Sequence, residues 1–338
     1  MLPLLSICIP TYNRAEQLKQ CLNSIVVQDL FVNTNKIEVV ISDNCSTDNT
    51  FDIVKEFMDE YPQKIKYFKT EKNIGFDNFE QVLKKGTGLF LKLHNDYLVL
   101  NSGALDYIVT TIENNKNKMP VLFFSNNDKE NIICASLNEF ICEVSFFNTW
   151  IASFGFWKSD FDKKNDWFRY NSSSLPQTDI LCRIITKGKN VEIINKHLFE
   201  SLYVSKKGGY NIAEVFGYNY LNILKKYVSN GNLSVKVYNQ EKKNILLKHI
   251  NPFYFDFNHQ YAFTKDGYFK WLMPDYKYHP YFYIAYAKTL FFYVLKYFSR
   301  YLGLIFSINS QKIDGYKIKT LNIMGKHYII KKKKLQKR

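Results

Sequence analysis

Residues 91–100 read LKLHNDYLVL. The apolar run over residues 89–93 has the length and character of a buried strand. It stops at His94-Asn95-Asp96, and apolar residues resume at Tyr97. A strand leaving a core normally turns on Gly or Pro. Three polar, metal-capable side chains there indicate a strand that ends at a site.

The flanking chain sets the fold around that strand. Residues 4–9 read as a strand, followed by a helix with Leu18, Cys21, Leu22 and Ile25 on one face. Residues 37–41 are a second strand. Ser46-Thr47-Asp48 then offers capping oxygens, and Phe51, Val54, Phe57, Met58 and Tyr61 follow at helical spacing. Residues 65–68 and 121–124 are further strands, and a helix begins near Asn78. Strands alternating with helices predict an α/β fold with a mostly parallel, doubly wound sheet and flanking helices. In such sheets ligands bind outside the carboxyl ends of the strands. The loops expected there, residues 10–14 (PTYNR), 42–46 (SDNCS), 73–78 (NIGFDN) and 94–96 (HND), are polar and suit a nucleotide.

Two common nucleotide chemistries are excluded. The first glycine is Gly75, so no G-x-G-x-x-G follows the first strand, and no Walker A sequence occurs. A dinucleotide oxidoreductase and a P-loop NTPase are poor readings. So is a sugar nucleotidyltransferase, which would want a Gly-rich loop after the first strand. Phosphates are expected to be held by a metal ion and side chains.

With 338 residues, 46% of them hydrophobic, the chain can build a sizeable core in one or two domains. Cys8, Cys21, Cys45, Cys134, Cys142 and Cys182 form no C-x-x-C pair, and Met1-Leu2-Pro3 runs into a strand without a basic leader. Reduced thiols in a cytoplasmic protein are expected. The net charge is +15, but residues 281–338 hold 13 Lys and Arg against Asp314 alone. The basic character belongs to the C-terminus, not to the strand–helix region.

SICIPTYNRAEQLKQCLNSI (6–25), EVVISDNCSTDNT (38–50) and NIGFDNFEQVLKKGTGLFLKLHND (73–96), in that order, resemble the N-terminal half of family 2 glycosyltransferases. The resemblance implies a GT-A fold, a nucleotide-sugar donor (UDP-linked is expected) and an inverting transfer. It also implies roles residue by residue. Pro10, Thr11 and Tyr12, with Asn13 and Arg14 beside them, would line the nucleotide. Asp43 would bind the base or ribose, and Asn73 and Asn78 would approach the ribose and diphosphate. Asp96 falls on the last Asp of the family's D-x-D motif, which binds a divalent cation, Mg or Mn, across the donor's phosphates. The first Asp of that motif is replaced by His94, which would join Asp96 as a metal ligand or hydrogen-bond the ribose; Asn95 lies between them on the donor side. Phe156 and Trp157 read as the acceptor-side turn. Asp179, at the start of a helix, is the expected general base, with Asp160, Asp162 and Asp166 as competitors. Lys206 and Lys207 precede two glycines in a basic loop that could close over the diphosphate.

The expected organisation is a glycosyltransferase domain over 1–240, with a nucleotide-binding half to about 125 and an acceptor half beyond it. A C-terminal helical, aromatic and basic region follows over 241–338. On a helical wheel, Lys288, Thr289, Lys296, Ser299 and Arg300 gather within about 120° of arc. Ile284, Leu290, Phe291, Leu295, Phe298, Leu302 and Ile305 occupy the other face. Such a helix, followed by lysines 331–334, is expected to lie on an anionic membrane surface, peripheral on the inner face of the cell membrane. No nucleic-acid module is visible. The expected function is transfer of a sugar to an oligosaccharide or lipid-linked acceptor in bacterial capsule, lipooligosaccharide or O-antigen synthesis. The alternative is a non-catalytic nucleotide-sugar or glycan-binding subunit on the same fold.

Overall fold

The computed structural model describes residues 2–161, 166, 169–204, 207–255, 261–313, 316–323 and 326–334. Strands β1 (Leu5–Thr11), β2 (Ile37–Asp43), β3 (Ile65–Lys69) and β4 (Phe90–Leu93) pair in parallel in the order β3-β2-β1-β4. Every residue of β2 and β4 is buried, as expected of parallel strands covered on both faces. The helices Ala15–Val26, Thr50–Glu60 and Asp77–Lys85 connect them at the predicted positions. Asn49, not Asp48, takes the N-cap position of the helix Thr50–Glu60, but Asp48 Oδ1 accepts from the Thr50 N–H at 3.2 Å. Its Oδ2 reaches the Ala15 N–H at 3.1 Å, tying the starts of two helices together.

The sheet reverses its strand order between β1 and β4, and the crevice outside their carboxyl ends is where a ligand fits. Beyond β4, strand β5 (Leu98–Leu100) leaves the sheet. Strands β6 (Val121–Phe124), β7 (Ile132–Cys134), β8 (Gly155–Trp157) and β9 (Val191–Ile194) follow. β8 runs antiparallel to β4, and β6-β9-β7 form a second sheet. Gly155 is required at the β4–β8 contact, because a Cβ there would lie 2.5 Å from both the Leu91 carbonyl and the Phe90 ring. Strand β10 (Phe199–Ser201) pairs with β5. Strand β11 (Lys207–Asn211) pairs in parallel with β12 (Tyr261–Thr264).

One of the two hydrophobic cores runs from Cys8, Val40 and Leu91 through the helix Pro176–Ile185 to Tyr276 and Phe282. Residues 241–255 and 261–282 therefore contribute side chains to the same core as the acceptor half. The long helix of the C-terminal region spans Pro280–Ile305. The basic stretch beyond it, expected within a helical region, is a three-stranded antiparallel sheet: β13 (Phe306–Ile313), β14 (Tyr316–Ile323) and β15 (Lys326–Lys334). The physical reason is the alternation in YKIKTLNI, with Asp-Gly at 314–315 between the first two strands, a hairpin signature.

Candidate active site

A pocket of about 770 Å³ opens at the strand-order reversal. Pro10, Thr11, Tyr12, Arg14, Asn73, Asn78, Asn95 and Asp96 line it, so eight residues expected on the donor side come together. Asn44, Tyr97, Trp150, Ile151 and Gln177 join them, with Gly208, Gly209 and Tyr210 from the glycine loop.

The polar wall is built by contacts across the reversal. Asp96 is 1% exposed. Its Oδ2 accepts from Thr11 Oγ1 at 2.9 Å, and its Oδ1 accepts from Arg14 Nη1 at 2.9 Å. Burial pushes the Asp96 carboxyl above the usual range, against the pull of Arg14 and Thr11. The Arg14 guanidinium also lies over the Tyr97 ring. Asn78 locks the strand end from below, accepting from Ser42 Oγ at 2.6 Å and donating to the Ser42 carbonyl at 2.8 Å.

Asp43 and Asn13 stand behind this wall. The Asp43 carboxylate, fully buried, accepts from the Ser46 N–H at 2.8 Å and from the Tyr67 hydroxyl at 2.5 Å. Asn13 (φ 50°) accepts from the Thr47 N–H at 2.8 Å. Both brace the loops that present their neighbours. Asn44, beside Asp43, is the residue that lines the pocket. It donates to Asn73 Oδ1 and accepts from the Ile74 N–H.

Other expected site residues take positions away from the pocket wall. His94 is not on the pocket wall. It is 1% exposed, with Nε2 3.2 Å from the Leu98 carbonyl and its ring against the edge of Phe199. Burial and the nearby Lys92 lower its pKa to about 3. Asp179 is also off the wall. Its carboxylate takes a two-pronged contact from Arg169 (2.9 and 2.8 Å) and a hydrogen bond from the Tyr227 hydroxyl at 2.6 Å. Two residues earlier, Gln177 does line the pocket, donating to the Thr149 carbonyl at 2.6 Å while its buried Oε1 has no partner. Phe156 and Trp157 are core residues: Trp157 donates to the Pro120 carbonyl at 2.6 Å and packs edge-on against Phe90. Trp150 and Ile151 supply the aromatic and apolar wall instead. Finally, the side chains around Asp96 show no preformed divalent-metal cluster among the described residues. The one expected carboxylate is already paired with a guanidinium, and the imidazole faces the core. Among the described residues no three His, Cys, Asp or Glu side chains converge.

The competing carboxylates are paired as well, Asp160 with Lys189 and Asp166 with Arg183 at 2.8 Å. Asp162 and Lys206 lie outside the described residues, and Lys207 begins β11. Gln177 lies about 200° around the helix from Asp179 at about 100° per residue, so the two side chains leave the helix on opposite faces.

A family model, "Glycosyl transferase family 2", matches residues 6–174, half of the chain. An abequosyltransferase, RfbV, from Salmonella typhimurium is 45% identical over 74 residues, 22% of each chain. A GalNAc(5)-diNAcBac-PP-undecaprenol beta-1,3-glucosyltransferase from Campylobacter jejuni is 31% identical over 110 residues, 32% of this chain and 34% of that one. The chain thus matches only about a fifth to a third of the length of these curated relatives. The structure of S. aureus TarS 1–349 in complex with UDP superposes with a TM-score of 0.58 at 18% identity, over 99% of this chain and 100% of that one. That likeness establishes the GT-A fold. With strand order, pocket position and family model in agreement, the chain belongs to glycosyl transferase family 2.

Proposed function

We propose that the chain transfers a sugar from a nucleotide-sugar donor, UDP-linked, to a glycan acceptor carried on a lipid, with inversion, in the synthesis of a bacterial surface polysaccharide or lipooligosaccharide. The observation that carries this reading is one pocket at the strand-order reversal. It combines Thr11, Arg14 and Asp96 with an apolar surface of Trp150, Ile151, Val215 and Phe216. Hydrogen-bonding groups and a cation beside an aromatic wall suit a diphosphate that joins a sugar to a base. Single displacement suits the same pocket. A covalent glycosyl–enzyme needs a carboxylate nucleophile, and among the described lining residues Asp96 is the carboxylate, held by Arg14 and Thr11. The UDP bound to TarS supports a uridine donor, and the undecaprenol in the Campylobacter relative's name supports a lipid carrier.

Work at an anionic membrane surface, on its cytoplasmic side, is part of this proposal. Among the described residues no helix is long and apolar enough to cross a membrane. The helix Pro280–Ile305 exposes Ile284, Phe291, Phe292 and Phe298, and the basic sequence of β15 follows it.

Titration with nucleotide sugars, read by thermal unfolding, tests the donor. A specific donor is expected to raise stability by roughly 2.7 kcal/mol at a hundred times its Kd. Silence across UDP-, GDP-, CDP- and dTDP-sugars would defeat the reading. In a second arm, the protein is expected to sediment with anionic liposomes and not with neutral ones; equal behaviour would remove the membrane component. The competing reading, a binding subunit on the same fold, gains from the position of Asp179 away from the wall. Slow donor hydrolysis without acceptor would exclude it.

A further inference from the structure

The donor diphosphate needs a cation, and the geometry around Asp96 supplies one from the protein itself. Arg14 Nη1 donates to Asp96 Oδ1 at 2.9 Å, and Thr11 holds the other oxygen at 2.9 Å. Asp96 is buried, whereas the Arg14 side chain is 37% exposed and lines the pocket. A buried carboxylate that fixes a half-exposed guanidinium orients it. A guanidinium has five N–H donors in a planar fork, so one contact to Asp96 leaves others for phosphate oxygens. A divalent ion on the same carboxylate would sit against this positive charge and be repelled. The remaining uncommitted oxygen at that corner is the neutral Oδ1 of Asn95, buried without a partner in the pocket wall. One amide carbonyl does not offset a guanidinium.

We propose that Arg14, positioned by Asp96, binds the donor's diphosphate directly, so that this chain holds its donor without a divalent cation. The inference rests on the nucleotide-sugar reading above. In the transfer, the bond from the anomeric carbon to the diphosphate oxygen breaks and its electron pair stays on the diphosphate, which Arg14 faces. The acceptor oxygen bonds to the anomeric carbon, and its proton passes to solvent.

The test is calorimetric titration of the full chain with UDP and with uridine, in EDTA and in Mn²⁺, with the Mn²⁺ EPR signal followed alongside. UDP is expected to bind with the same Kd in EDTA and in Mn²⁺, and the protein is expected to quench the free Mn²⁺ signal no further than UDP alone does. Arg14→Ala is expected to weaken UDP at least about tenfold, the loss of one charge-assisted contact, while leaving uridine unchanged. Arg14→Lys should recover part of that loss, because it keeps the charge but not the fork. Thermal unfolding of each variant confirms that it is folded. UDP binding that requires Mn²⁺, or that survives Arg14→Ala unchanged, would overturn the proposal. Uridine binding with no gain for UDP under either condition would also overturn it while leaving the nucleotide pocket standing. Failure of both ligands would reject the nucleotide reading itself.

Discussion

Asp179→Asn is expected to unfold at a much lower denaturant concentration than the wild type, with a loss of about 3–5 kcal/mol, the usual cost of breaking one side of a buried ion pair. Asp179 is fully buried, and three side chains converge on its carboxylate: Arg169 with two contacts, Tyr227 with one, and Arg183 at 3.7 Å. Burial and the Asp179 carboxylate together push the Tyr227 hydroxyl up, and the hydrogen bond to Asp179 raises Arg169. An amide has one acceptor oxygen and an NH2 group, so it cannot accept from both prongs of the guanidinium and the phenol, and its NH2 would face a donor. It would also remove the negative charge 3.7 Å from Arg183, which keeps its pair with Asp166. This network joins the helix Pro176–Ile185 to the helix Tyr220–Ser229, so the loss should be cooperative and visible in the main unfolding transition. The experiment separates two roles that one residue could play. A general base replaced by Asn loses turnover and keeps its unfolding midpoint. A buried brace replaced by Asn loses its midpoint first. If Asp179→Asn keeps wild-type stability and nucleotide binding yet fails to transfer, the base assignment returns and the bracing role is wrong.

A pH-dependent gain in stability is expected from Lys92, and Lys92→Met should abolish it. Lys92 is 2% exposed in β4. Its Nζ donates to the Ala152 carbonyl at 2.5 Å and lies over the rings of Phe124 and Phe199. Burial lowers its pKa to about 7. The unfolded chain keeps an ordinary lysine near 10.5. Between those two values the unfolded state binds the extra proton, so stability rises with pH, by up to roughly 1.4 kcal/mol per unit. Below pH 7 both states are protonated and the full cost of the buried charge is present. The wild type should therefore resist urea better at pH 9 than at pH 6.5. Lys92→Met, similar in length and apolar, should show a flatter profile across this window. Equal slopes for the two proteins would mean that the carbonyl and the two aromatic faces offset the desolvation of the ammonium. Because Lys92 also helps depress His94, a flat profile would change the protonation assigned to both residues.

Much of the frame was legible in the sequence. The alternation of residues 4–9, 37–41, 65–68 and 89–93 with helical periods places the parallel strands, because side-chain burial forces a period of 2 or 3.6 on whatever the backbone does. Polar loops after apolar strands locate the site, because buried strands leave a crevice only at their ends. Three ordered motifs add the family. The alternation in residues 316–323 was equally available, but net charge hides it. A lysine-rich strand and a lysine-rich tail have the same composition, and only periodicity separates them.

The tertiary structure decided which polar side chain does what. Arg14 and Asp96 are 82 residues apart and meet only because β1 and β4 are neighbours across the reversal of strand order. His94, Asn95 and Asp96 follow one another past the end of β4. The backbone there sends the imidazole into the core and leaves the next two side chains on the pocket. Gln177 and Asp179 lie on one short helix that is buried on every side, so no amphipathic pattern marks the face that meets the pocket. Local sequence determines element and period, because those depend on bonds within a few residues. The direction of a side chain at the end of an element depends on what packs beside it, and in this chain those neighbours come from strands and helices far away in sequence.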